Sequence, residues 1–379
     1  MRVEQNRWSH ALGWETKFHE AFCKEANLVL LFGSRAILKD RLLFDEIKKT
    51  YPNAHFMGCS TSGEIHNTQV TDDTLVLSAV KFDATVVKGV SARINDFGDS
   101  AGVGKFLAES LNQKGLVHLF VLSDGLMVNG SDLVKGITEH LPKGIIVTGG
   151  LAGDGALFQE TLVIWDGPAE PGIVAAIGLY GDKIKIGCGS LGGWDSFGTE
   201  RLITKSKANV LYELDDKSAL ALYKRYLGEH ASGLPATGLL FPLSIRTSQD
   251  ETAVVRTLLA MNEKEGSLTF AGNMPEGAYA RLMKANFNRL IDGAIGSAKT
   301  SHAAIGSSTP ELAILISCVG RKLVLKQRIE EEVEGVREVL GKEPALTGFY
   351  SYGEISPFTP EAKCELHNQT MTITTLSEG

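Results

Sequence analysis

Two eight-residue segments, Gly58-Cys59-Ser60-Thr61-Ser62-Gly63-Glu64-Ile65 and Gly348-Phe349-Tyr350-Ser351-Tyr352-Gly353-Glu354-Ile355, set glycine, hydroxyl and carboxylate groups in one frame, G-x4-G-E-I. A looser third copy, Gly149-Gly150-Leu151-Ala152-Gly153-Asp154, is one residue shorter and carries Asp for Glu. Glycines just past a strand permit positive φ and leave backbone N–H groups uncovered, so such a turn can hold an anion or the polar edge of a ligand. A carboxylate beside it can receive a cation or an amine. The same residues also read as tight strand-to-strand corners whose acid caps local amides. Recurrence of glycine plus acid in distant segments favours a shared ligand pocket, with Cys59, Ser60, Thr61, Glu64, Gly150, Asp154, Tyr352 and Glu354 as its candidate residues. Glu64, Asp154 and Glu354 are then expected at equivalent turn positions, at least two of them lining a cavity.

Other chemistry competes with this reading. An enzyme would need a nucleophile, a base and an oxyanion site. The Cys59 turn offers a thiol and hydroxyls, but it is not G-x-S-x-G and no histidine is tied to it by sequence, so a non-catalytic protein is expected, with an enzyme using this turn as an alternative. Among nine histidines, His66 and His367 lie beside the glycine turns or the strands that follow. A neutral imidazole there could ligate haem iron and leave the other axial position open to a gas. Each also reads as an ordinary hydrogen-bonding or exposed residue. Cys59 reads as a thiolate ligand, a redox sensor or a small packed hydrophobe. Gly102-Val103-Gly104-Lys105 fails as a phosphate loop, because Asp99 stands where its first glycine belongs and Phe106 replaces Ser or Thr; it reads as helix interior.

Elements must hold these groups. Segments 28–33, 116–122 and 312–317 are continuous apolar runs of the kind buried on both faces of a sheet. Helical spacing marks 39–50, 100–113, 130–141, 279–300 and 326–340. The order helix, strand, helix, strand, glycine turn, strand occurs three times, in 16–82, 85–180 and 266–376. This predicts an internally duplicated α/β (α+β) fold of α-β-α-β-β units, mixed sheets covered by helices, in two modules that divide near residue 195. Segment 194–207 reads as a loop-rich linker, through which a pocket shared by both modules would change their relative orientation.

Composition sets the bounds. The 379 residues suffice for two or three domains, and 43% hydrophobic with 22% charged residues is ordinary for a folded chain. A net charge of −7 argues against a nucleic-acid footprint and against docking to anionic lipid. No apolar run approaches the roughly 18 residues of a membrane span, and residues 1–10 are polar where a signal peptide needs an apolar stretch. A cytoplasmic protein is expected. Five cysteines without C-x-x-C spacing indicate neither a disulfide framework nor a zinc knuckle.

Taken in order, the two glycine turns 58–65 and 149–154, then Val210-Leu211-Tyr212-Glu213-Leu214-Asp215, Ala219-Leu220-Ala221-Leu222-Tyr223, Phe241-Pro242-Leu243, Val255-Arg256, Pro275-Glu276-Gly277, Tyr352-Gly353-Glu354 and Leu366-His367-Asn368-Gln369-Thr370 resemble the FIST family of sensory domains. The resemblance implies a FIST N-terminal module over 25–195 and a FIST C-terminal module over 196–376. It implies a small-ligand sensor in signal transduction, its ligand an amino acid or similar molecule and its partner a histidine kinase of a two-component system or another signalling protein. A stand-alone subgroup is similar to haemoproteins that sense nitric oxide, which makes haem b the candidate cofactor under that alternative.

Overall fold

Each apolar run read as a buried strand feeds two cores. In Leu28–Gly33, Leu28, Leu30 and Phe32 face a centre shared with Phe120, Leu122, Ile314 and Ile316, while Val29 and Leu31 face a separate cluster with Phe44, Ile47 and Tyr51. Successive side chains of a strand point to opposite faces, so a run with no polar gap must be covered on both. The computed structural model, which describes residues 1–248 and 252–379, meets that demand with three six-stranded mixed sheets whose inner faces share one core and whose outer faces carry helices.

The three sheets are built by one recipe. A parallel pair forms the centre: Leu28–Gly33 with His55–Ser60, Leu116–Ser123 with Ile146–Leu151, and Leu312–Cys318 with Ala345–Ser351. A return strand then runs antiparallel to the first of each pair: Thr74–Lys81, Ile173–Tyr180 and Met371–Ser377. Between pair and return, each unit sends a short strand into a neighbouring sheet. Glu64–His66 pairs with Ala345–Ser351, Val163–Trp165 with His55–Ser60, and Gly353–Pro357 with Ile146–Leu151. The exchange is cyclic, first to third, second to first, third to second, so no unit completes its sheet alone.

The expected repeat is therefore present, with different bounds for its last copy. The third unit begins with Lys185–Leu191, which pairs with Met371–Ser377, and resumes at helix Phe287–Ala304 instead of residue 266. Residues 195–284 form an inserted eight-stranded sheet around helix Ala219–Leu227, with its own core of Leu211, Tyr223, Leu243, Leu268 and Phe270. Two segments were misread. The expected loop-rich linker at 194–207 is strand Asp195–Lys207, and the expected helix at 279–300 is a strand, Tyr279–Lys284, followed by the helix that Asn286 caps. Exposed Tyr279 and Arg281 alternate with buried Ala280 and Leu282, a period of two that outranks the helical spacing beyond it. These two strands pair at Asp195 and Lys284 and form the stalk of the insert.

Residues 102–105 lie in helix Ser100–Ser110, as expected. A Cβ at Gly104 would press on Leu133 O of helix Gly130–Glu139, and one at Gly136 on Ala101 O, so the glycines serve close helix packing.

Candidate functional site

Register fixes the glycine turns. Gly58 lies opposite Leu31, Gly149 opposite Val121 and Gly348 opposite Leu315, each in a parallel pair. A Cβ at any of the three would fall well inside van der Waals contact of that partner's carbonyl oxygen, and Gly149 and Gly348 also have φ of +153° and +158°. The first glycine of the frame thus answers a close backbone approach, one of the two reasons for which glycine is irreplaceable.

Glu64 and Glu354 then occupy equivalent positions and are held alike. Thr61 Oγ1 donates to Glu64 Oε1, and Thr74 donates to Oε2 through its backbone N at 3.1 Å and its hydroxyl at 2.8 Å. Ser351 Oγ donates to Glu354 Oε1 at 2.6 Å, and Thr370 donates to Oε2 through N at 3.2 Å and Oγ1 at 2.9 Å. Both side chains are buried. Burial outweighs these hydrogen bonds and raises the carboxyls to about 7 for Glu64 and about 8 for Glu354. Each acid ties its own turn to the start of its own return strand.

Asp154 differs. Counted from Gly149 it falls where Gly63 and Gly353 stand, so the equivalence expected of the three acids holds for two; the missing residue in the third copy is the reason. Its carboxylate accepts from the backbone N of Phe158, Gln159 and Glu160 at 2.8, 2.9 and 3.1 Å, from Arg35 Nη1 at 3.0 Å and from the Tyr352 hydroxyl. Tyr352 stacks on Phe158 at 4.6 Å. Asp154 and Tyr352 are thus brought together from different units. Gly150 is roofed by Ile316 and Phe349, and Ser60 Oγ accepts from Leu162 N.

Cys59 sits fully buried in the shared core, and burial pushes its thiol well up, away from nucleophile or thiolate chemistry. His66 and His367 lie in different sheets. His66 is half-buried, its pKa lowered by burial and by the charge of Arg7. His367 is wholly enclosed, with Phe358 edge-on at 4.4 Å and Nε2 at 2.7 Å from Ser356 O. A porphyrin needs an apolar slot open to a ring nitrogen. The enclosed ring of His367 has no such opening. Among the described residues no three His, Cys, Asp or Glu side chains gather as a metal site.

The unusual chemistry lies two strands on, at the seam between the third unit and the insert. Ser356 O can only accept, so His367 Nε2 carries the proton and Nδ1 is left an acceptor. That Nδ1, both amide atoms of Asn368 and Oε1 of Gln369 are buried without a hydrogen-bond partner among the described residues. Buried polar groups are nearly always bonded, and here four atoms in three consecutive residues are not. Gln369 has φ of +63°, its carbonyl accepts from Trp194 Nε1 at 2.9 Å, and Trp194 adjoins the stalk of the insert.

From the insert, Arg256 reaches the same strip. It is 5% exposed, donates Nη1 to Leu366 O at 2.9 Å and Nε to Asn273 O at 3.2 Å, and no carboxylate among the described residues pairs with it. Burial lowers its pKa to about 10, and burial with a smaller contribution from the Arg256 charge holds that of His367 down to about 4, so at neutral pH Arg256 is charged and His367 is not. A cavity of about 150 Å³ opens against Arg256 between helix Gly130–Glu139, the insert and strand Cys364–His367.

The FIST N domain model matches residues 27–217 and the FIST C domain model residues 219–357. The chain belongs to the FIST family. Family membership places it among signal-transduction sensory domains, and both expected modules are present. It is similar to an uncharacterized protein of Methanocaldococcus jannaschii, 23% identical over 372 residues that cover 86% of this chain and 69% of the relative. Among solved structures, a cyanuric acid hydrolase from A. caulinodans aligns over 78% of this chain and 99% of its own at 9% identity and a TM-score of 0.18, too low to argue from.

Within this FIST chain the division between the two models falls inside the insert, whose first strand precedes residue 217 and whose last follows it. Arg256, Asn368 and Gln369 entered the sequence reading only as family marks. The signal for Asn368 and Gln369 was available: four polar residues, 367–370, stand between apolar Leu366 and a return strand buried along its whole length.

Proposed function

We propose that this FIST chain is a cytoplasmic, non-catalytic sensor that binds a small molecule, an amino acid or similar metabolite, at the seam between the insert and the third unit, and passes its state to a signalling partner such as a histidine kinase. The observation that carries this reading is the run of four unpartnered buried polar atoms at 367–369, beside a buried guanidinium that forms no ion pair among the described residues. A ligand with donors and acceptors of its own would complete those groups, and completing them favours the closed seam. A ligand shifts a conformational equilibrium only by its difference in affinity for the two states. The insert hangs from two paired strands at Asp195 and Lys284, with Trp194 bonded to Gln369 O, so occupancy of the strip is coupled to the stalk by one hydrogen bond. No helix among the described residues is long and apolar enough to cross a membrane.

The test uses the full chain. A metabolite panel is screened by thermal shift, then a hit is carried into small-angle scattering and into autophosphorylation assays of a candidate kinase. The expected result is a hit whose effect on melting is lost in Gln369→Leu, with a changed scattering profile and changed kinase activity. Binding that is untouched by Gln369→Leu, or saturation that leaves both profile and kinase unchanged, would defeat the proposal.

A further inference from the structure

The cavity beside Arg256 has a composition that selects its ligand. Among the described residues its walls carry four cationic side chains, Lys135, Arg246, Arg256 and Lys363, against one acid, Glu365. Arg246 is answered by Glu200, which donates nothing to the cavity and receives Nε and Nη2 at 2.8 and 2.6 Å. Lys135 and Lys363 are exposed at the mouth, and Arg256 is the buried charge behind them. The remaining lining mixes polar side chains, among them Ser131, Thr138 and Asn273, with an aliphatic patch of Val134, Ile245 and Val254. A bare oxyanion would leave those aliphatic groups uncovered. About 150 Å³ is the size of a cavity that holds a six-carbon ring, which limits the occupant to roughly six to eight heavy atoms.

We infer that this pocket binds a small organic carboxylate, its anionic head on the Arg256 guanidinium and its short apolar body against Val134, Ile245 and Val254. A guanidinium presents a planar fork that matches a carboxylate, and the hydrogen bonds from Arg256 Nε and Nη1 go to carbonyls, while Glu365 acts on its charge without forming an ion pair with it. The same cations disfavour an ammonium group close to the head, so a carboxylic acid lacking the α-amine fits better than the corresponding amino acid. The inference rests on the seam reading: it names the chemical class that approaches the strip at 367–369 from the pocket side.

Three probes of one shape decide it: 3-methylbutanoate, its neutral isostere 3-methylbutanamide, and valine. Binding is measured by calorimetry, with the Arg256 Nε–H and His367 ring signals followed by nuclear magnetic resonance. Expected is that 3-methylbutanoate binds at least tenfold more tightly than either of the others and shifts both signals. Affinity should fall two- to fivefold in the surface variants Lys135→Gln and Lys363→Gln, whose folding is not at issue, and more than tenfold in Arg256→Gln. Equal binding of all three probes, or carboxylate binding indifferent to Lys135→Gln and Lys363→Gln, overturns the assignment. If the amide moves the His367 signals and 3-methylbutanoate does not, the carboxylate class fails; if valine does so instead, the preference for an acid lacking the α-amine fails; in both cases the seam reading stands. If no probe binds or moves either signal, the carboxylate assignment fails; the seam reading is then judged by the metabolite panel.

Discussion

The turn that closes at Thr74 and the turn that closes at Thr370 are one device used twice. Each follows a G-x4-G-E frame, each seats a buried glutamate on a threonine N–H and hydroxyl, and each enters that threonine through a left-handed residue, Asp73 at φ +54° and Gln369 at φ +63°. They differ in what covers them. Asp72 and Asp73 are exposed, and Asp72 meets Lys322 at the surface. Asn368 and Gln369 are fully buried and carry unpartnered atoms, and Gln369 reaches Leu239 O of the insert. The shared part of the turn therefore belongs to folding, and the part on which the two copies disagree is where the proposed ligand site lies.

The largest effect should come from breaking the shared part. Gly348→Ala forces a Cβ onto Leu315 O and strains a φ of +158°, whereas Gly58→Ala meets Leu31 O without a positive φ. Both should cost about 3 kcal/mol or more, with Gly348→Ala the worse, read as lost soluble yield or a lowered urea midpoint. Unchanged midpoints in both would show that the glycines do not set the strand approach.

Next in size is the pH response of the paired acids. In the unfolded chain both carboxyls titrate near 4.5, and in the fold near 7 for Glu64 and 8 for Glu354. Between those values the folded protein holds protons that the unfolded chain has released. The contribution is thus fully present below pH 4.5 and is lost as pH rises through 7 and 8, on the order of a few kcal/mol. Glu64→Gln and Glu354→Gln should each flatten the fall in melting temperature between pH 5 and pH 9, and the flattening for Glu354→Gln should extend to higher pH. Wild-type stability that rises across this interval would show that the hydrogen bonds, not burial, govern both acids.

Much of this fold was legible because its strands are buried on both faces: Leu28, Leu30 and Phe32 with Val29 and Leu31 leave no other reading. The repeat was legible for the same reason, in the glycine that each close strand pair requires. What could not be read is which unit a strand joins. Glu64–His66, Val163–Trp165 and Gly353–Pro357 look local in sequence, yet all three complete a neighbour's sheet, and strand exchange is decided by tertiary geometry that no period encodes. The same limit explains the site. Glu64 and Glu354 stand out by recurrence but their oxygens are occupied within the protein, whereas Asn368 has no sequence partner and becomes notable only when the insert closes over it.

The smallest expected effect is the most informative about that covered copy. An amide buried without partners contributes only the cost of leaving water, on the order of 1–3 kcal/mol, so replacing Asn368 by an apolar residue of similar size should relieve it. Asn368→Leu is accordingly expected to leave the melting temperature of the ligand-free protein unchanged or raised by the equivalent of about 1 kcal/mol, while abolishing the shift produced by a bound ligand. The matching change in the exposed copy, Asp72→Leu, removes a surface ion pair worth at most about 1 kcal/mol and should leave the ligand response whole. Unfolding experiments with and without ligand on both variants separate the two roles. If Asn368→Leu destabilises the free protein by more than about 2 kcal/mol and the ligand response survives, the amide is part of the scaffold and the contrast between the two turns carries no function.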